Sequence, residues 1–173
     1  MKLTRRFWLL WCLLIASVAA IVVNREADHL SHEPPNYSQI DDGLYLGGYV
    51  QQPPPVARAV LNLCESEDPY HAEVHAWQPI RDAAPAPSLD WLRQQVAFIE
   101  AERAAGRVVY VHCHAGVSRG AMVTTAYLMS RDGRTRDETL AFLRTRRPQV
   151  RPNPAFMELL LEWEKQLKSE RVG

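Results

Sequence analysis

The stretch Val111–Gly120 reads VHCHAGVSRG. Just before it, Arg107–Val111 (RVVYV) is a short run dense in β-branched residues, as in a buried strand. Just after it, Ala121–Ser130 (AMVTTAYLMS) is apolar enough for a central helix, with Gly133 to end it. A strand that turns straight into a helix aims several backbone N–H groups and the positive helix end at one spot. An anion belongs there. Cys113 and Arg119 are separated by five residues, His114, Ala115, Gly116, Val117 and Ser118. That is enough for a loop to curl around a phosphate while Arg119 reaches back to clasp two of its oxygens. Gly116 lets the backbone come close without a Cβ.

The same field favours a thiolate at Cys113, placed behind the phosphorus for in-line attack. Ser118 is expected to hydrogen-bond the sulfur and ease its departure. His112 reads as an orienting residue behind the loop rather than a base. A thiolate displaces phosphate well only if the leaving oxygen receives a proton, so an acid is needed from another loop. Asp82 is the choice: it follows a strand candidate ending at Ile80 and stands in a Pro/Ala-rich loop. Asp90 lies in the first turn of a helix, where its charge serves the helix end. Asp68 is farther from the strand end.

Outward from this stretch the pattern is α/β. Leu44–Leu46, Ala59–Leu63 and His75–Ile80 are strand candidates, and Asp42-Gly43 marks a turn. Gln51–Pro55 is too rich in proline for a central strand. Ser88 caps a helix running to Ala105, with Leu89, Leu92, Val96 and Ile99 at helical spacing and Gly106 as the stop. Thr135 begins another helix, with Glu138 three residues on completing a capping-box pattern. After Pro148, Pro152 and Pro154, Phe156–Lys168 forms an amphipathic helix with Phe156, Leu159, Leu160 and Trp163 inward. The sum is a central, mainly parallel sheet flanked by helices, with both of its faces covered.

These residues resemble the cysteine-dependent phosphatase signature H-C-x-x-G-x-x-R and, more narrowly, the dual-specificity family. The resemblance covers about Tyr37 to Leu167, where IDDGLYLGGY, AVLNLCE, the Asp82 region, VHCHAGVSRG and RRPQVRPNPAF follow in that family's order. It implies that family's fold and a two-step hydrolysis through a cysteinyl-phosphate. It also implies that Asp82 is the acid, some thirty residues before the cysteine, and that Asn153 supports the phosphate loop. The sequence departs from the family pattern at Gly120, Ala155 and Leu159, often Ser, Gly and Gln. Of the many arginines in the C-terminal region, Arg131, Arg134, Arg136, Arg144, Arg146 and Arg147 read mostly as a solvated helical face.

The 173 residues carry 20 Lys plus Arg against 20 Asp plus Glu, which gives no argument for nucleic acid. Residues 1–6 form a basic tail. Phe7–Val23 (FWLLWCLLIASVAAIVV) is an unbroken apolar run, read as a single-pass membrane anchor or, alternatively, a cleaved export signal. The basic flank lies wholly on its N-terminal side, which puts the amino end in the cytoplasm and the domain across the membrane. Residues 24–36 read as a linker, 37–168 as the domain and 169–173 as a tail. Cys12 lies in the apolar run, leaving Cys64 and Cys113 as free thiols or a redox-sensitive pair. No cofactor is required. His71 and His75, or His112, Cys113 and His114, do not make a metal motif, since H-E-x-x-H is not formed. A phosphorylated protein is the expected substrate, a membrane lipid or other phosphoester the runner-up, and a non-catalytic phosphate-binding module the alternative of a different class.

Overall fold

The computed structural model describes residues 35–172; the basic tail, the apolar run and the linker through residue 34 lie outside them. In chain order the described elements are β1 (Tyr37–Asp41), β2 (Leu44–Gly47), β3 (Ala57–Asn62), β4 (Val74–Trp77), α1 (Leu89–Ala104), β5 (Val108–His112), α2 (Arg119–Asp132), α3 (Arg136–Arg146) and α4 (Pro154–Val172). The sheet runs β1-β2-β5-β3-β4. Only β1 is antiparallel to its neighbour; the β2–β5, β5–β3 and β3–β4 pairs are parallel. The carboxyl ends of those four strands therefore share one edge of the sheet, where ligands of open α/β folds collect.

β5 is central because it can be buried on both faces. Val109 and Val111 face the main core with Leu44, Leu46, Ala59 and Leu61. Leu92, Val96 and Ile99 of α1, Leu140 and Leu143 of α3, and Phe156, Leu160 and Trp163 of α4 close over that face, with α2 between them. Tyr110 and Val60 face the other way, against Tyr70 and the half-buried Tyr37 and Tyr45. Among the described residues all four helices bury their apolar sides in the first cluster, and the second face is covered by aromatic side chains and loops.

The helix ends follow the sequence signals. Ser88 accepts a hydrogen bond from the Trp91 amide at 3.1 Å, and Thr135 and Glu138 form a complete capping box. α2 ends at Gly133 and is buried continuously from Arg119 to Met129. Four boundaries differ from expectation. β1 was not anticipated, because an edge strand with only Ile40 buried carries no apolar run. β4 stops at Trp77, short of Ile80. Asn36, read as linker, hydrogen-bonds into the domain, and α4 continues to Val172 where a tail was expected.

Candidate active site

The segment between β5 and α2 is held from outside by its carbonyls. His114 O accepts from the Tyr49 amide at 2.9 Å and Val117 O from the Arg151 amide at 2.8 Å. Between them, Ala115 O accepts from Arg147 Nη2 at 2.9 Å and Gly116 O from Arg147 Nε at 2.8 Å. In a trans peptide the C=O and the following N–H point in opposite directions. The amides of Ala115, Gly116, Val117 and Ser118 are thereby turned to the inside of the curl, where they find no acceptor among the described residues. Four convergent N–H groups at a helix N-terminus make an anion cradle. Gly116 sits at φ +66°, and a Cβ there would stand 2.3 Å from the carbonyl carbon of Gly47, so only glycine fits.

Cys113 opens the loop, almost fully buried, with its amide bound to Gly47 O at 3.3 Å. Arg119 closes it as the first residue of α2. Its Nη1 donates to Ile80 O at 3.1 Å and Leu63 O at 3.3 Å, and Glu65 lies 3.6 Å away. Its buried Nε has no hydrogen-bond partner, which leaves a donor for an anion.

Asp82, on the exposed loop after β4, reaches this group. Its Oδ1 accepts from Ser118 Oγ at 2.6 Å and from Asn153 Nδ2 at 2.8 Å, while Oδ2 stands 4.0 Å from Arg119 Nε. The expectation for Ser118 is corrected. Its hydroxyl donates to Asp82 and accepts from the Asn153 amide at 3.1 Å, so it is engaged with the acid loop rather than with the sulfur. Asn153 also caps α4 by accepting from the Phe156 amide at 3.0 Å. One residue thus links the Asp82 loop, the Cys113–Arg119 loop and a helix start. Asp90 sits in the first turn of α1, as its helix-end reading requires.

His112 is fully buried, and its Nε2 lies 3.0 Å from Asp68 Oδ2. The same oxygen lies 2.9 Å from His75 Nε2. Two of the four imidazoles considered as metal ligands, His75 and His112, therefore share one buried carboxylate. On the other side of His112, Nδ1 is 3.8 Å from Cys64 Sγ. Burial pushes the Cys64 thiol up to about 12, and the charge Cys113 can carry adds to the effect. Cys64 and Cys113 are both free thiols.

Two participants escaped sequence reading. Asp68 was set aside for its distance from the strand end, but the loop folds its side chain completely inward beneath His112. Arg147 was placed on a solvated helical face and is 2% exposed. Its position immediately before Pro148, just beyond α3, is the one signal that it leaves the helical face.

A family model described as "Dual specificity phosphatase, catalytic domain" matches residues 45–166. Among curated proteins, the human dual specificity protein phosphatase 16 is 37% identical over 110 residues, covering 63% of this chain and 16% of that protein. The human dual specificity protein phosphatase 1 is 37% identical over 112 residues, covering 63% of this chain and 30% of that protein. The chain thus matches less than a third of the length of these relatives. Among solved structures, a mouse putative dual specificity phosphatase complexed with zinc tungstate superposes with a TM-score of 0.75 at 25% identity, covering 82% of this chain and 94% of that one. With the family model spanning most of the chain, and the cradle, Cys113 and Arg119 all inside the matched segment, the protein belongs to the dual specificity phosphatase family.

Proposed function

We propose that the chain hydrolyses phosphate esters of proteins, on tyrosine, serine or threonine, through a cysteinyl-phosphate intermediate. The observation that carries this reading is the set of four inward amides with the Arg119 Nε donor, ringed around a thiol at the start of the loop. Such donors match the three outer oxygens of a phosphoryl group. Cys113 as thiolate attacks phosphorus in line, and the bond to the leaving oxygen breaks as Asp82 supplies its proton. Water then attacks the phosphocysteine, Asp82 takes up the proton released, and the thiolate and inorganic phosphate are regenerated. Oδ2 is the oxygen suited to carry that proton, because Oδ1 already accepts two hydrogen bonds.

The test is hydrolysis of an aryl phosphate and a panel of phosphopeptides by the full chain, beside Cys113→Ser. Complete loss in the variant, with phosphate trapped on the wild-type cysteine after rapid acid quench, is the expected result. Full activity in Cys113→Ser would overturn it.

We further propose that residues 7–23 anchor the protein in a membrane with the domain on the side opposite the amino end. What supports this is the uninterrupted apolar run and its one-sided basic flank; among the described residues no helix is long and apolar enough to cross a membrane. Alkaline extraction and protease protection of sealed vesicles test the anchor and its orientation. Release by alkali, or a domain digested from the cytoplasmic side, would refute it.

A further inference from the structure

Arg147 is the side chain that holds the middle of the phosphate loop. Of the four loop carbonyls bound from outside, backbone amides hold the first and last, and this one guanidinium holds the two between, Ala115 O at 2.9 Å and Gly116 O at 2.8 Å. Its remaining contacts are Asn36 Oδ1 at 2.7 Å and Ser38 Oγ at 3.4 Å, at the start of β1, and the Gln149 side-chain amide, whose oxygen accepts from Nη1 at 3.3 Å and Nη2 at 3.2 Å. Every partner is neutral, and among the described residues no carboxylate lies within ion-pair distance of it. A buried cation without a counter-ion is costly. Two ionisable side chains couple to it, Tyr110 and Cys113; burial keeps the Tyr110 phenol protonated, so the compensating charge falls to Cys113 as thiolate or to the phosphate itself. Burial lowers the proton affinity of the guanidinium, and Tyr110 and then Cys113 oppose that lowering.

We propose that Arg147 is a positioning residue for the bound phosphate, holding the Gly116 and Val117 amides toward it and supplying a second positive charge from behind the loop. This rests on the phosphatase reading for its purpose but not for its test. The planar fork suits the role in a way an ammonium does not, since Nε and Nη2 address two successive carbonyls at once. Pro148 directly afterwards ends α3 and leaves Arg147 with extended backbone at φ −143°, which turns its side chain away from the helix surface.

The experiment uses the full chain with Arg147→Met, Arg147→Lys and Asn36→Ala. Two readouts need no turnover: the pH midpoint for alkylation of Cys113 by iodoacetamide, and the protection of Cys113 from alkylation by tungstate, a phosphate-like oxyanion. Arg147→Met should raise the alkylation midpoint, because a positive charge behind the loop is lost. It should weaken tungstate protection about tenfold or more, because two amides are no longer held. Arg147→Lys should restore the midpoint but not the protection. Asn36→Ala, which frees Nη2 from its anchor while keeping the charge, should leave the midpoint in place and weaken protection a few-fold, about what one lost hydrogen bond gives. Should Arg147→Met fail to fold by circular dichroism, the other two variants decide. Wild-type tungstate protection in both, or in a folded Arg147→Met with an unmoved midpoint, would overturn the proposal. If the wild-type chain hydrolyses no phosphoester yet these shifts occur, the functional reading fails and the role of Arg147 stands.

Discussion

Ser118 donates its hydroxyl hydrogen to Asp82 Oδ1 at 2.6 Å, so the loop that follows β4 and the loop that follows β5 are joined by a charge-assisted hydrogen bond. Asn153 reinforces the junction from α4. Asp82 is exposed, and without these two donors nothing in its own loop would direct it at the cradle.

The first prediction concerns that carboxylate. Asp82→Ala should slow hydrolysis of alkyl phosphates and of phenyl phosphate by roughly 10²–10⁴, the range for loss of a positioned acid. A nitrophenyl ester, whose leaving oxygen needs little protonation, should suffer far less. Comparing kcat for the two ester types checks this; equal losses would place the acid elsewhere.

Gly116→Ala should remove activity and reduce stability together. The new Cβ would stand 2.3 Å from Gly47 C, 2.4 Å from Gly47 O and 2.6 Å from Arg147 Nη2, at a φ of +66°. Strain in the left-handed region alone is on the order of 1–3 kcal/mol, and two of the three blocking atoms are backbone. Thermal unfolding with parallel kinetics reads both effects, and a variant with wild-type Tm and kcat would contradict the loop geometry.

The two thiols should differ in reactivity. With its thiol pushed up to about 12 and its side chain buried, Cys64 stays protonated across the neutral range. Peptide mapping after brief alkylation at pH 7 should show label on Cys113 and none on Cys64, with Cys64 labelled only once the chain is unfolded. Labelling of native Cys64 at the rate of Cys113 would refute this.

Acid should loosen the fold at Asp41. Burial by itself raises this carboxyl, but hydrogen bonds from Arg103, Arg131 and the Gly43 amide outweigh it and hold the value below the usual one. A depressed folded value means the carboxylate stabilises the fold above the ordinary range of about 4 and loses that contribution as pH falls through the lower, folded value. Asp41→Asn should cost about 1 kcal/mol at pH 7, and that cost should shrink as pH is lowered through the depressed folded value. Urea melts of both proteins along a series of falling pH measure it, and a cost that stays constant along the series would show that the charge contributes nothing.

The legible parts of this chain were those written in local chemistry. Ser88, Thr135 with Glu138, and Gly133 marked helix ends because caps act within one turn. The VVYV run marked β5, and the Cys113-to-Arg119 spacing marked the loop, since both are contiguous. Asp68 and Arg147 were not legible. Each is a charged residue that tertiary folding buries against partners 44 and about 31 positions away, and composition assigns such residues to the surface. Ser118 was read by its neighbour in sequence, Cys113, but its nearest acceptor, Asp82, is 36 residues distant. Which face of the sheet the four described helices meet was not legible, because periodicity shows that a helix has an inner side, not which side of the sheet it packs on.

The continuous burial of α2 from Arg119 to Met129 has a consequence for how the protein fails. A helix wrapped on all sides exchanges its amide hydrogens only when the whole domain opens, because no smaller opening exposes it. The arginine of the site is its first residue. Arg119 therefore shares the protection of the core, while His114, Ala115 and Val117 ahead of it do not. Under denaturant the arginine end of the cradle should be the last part of the site to let go, and its amides the slowest of the site to exchange.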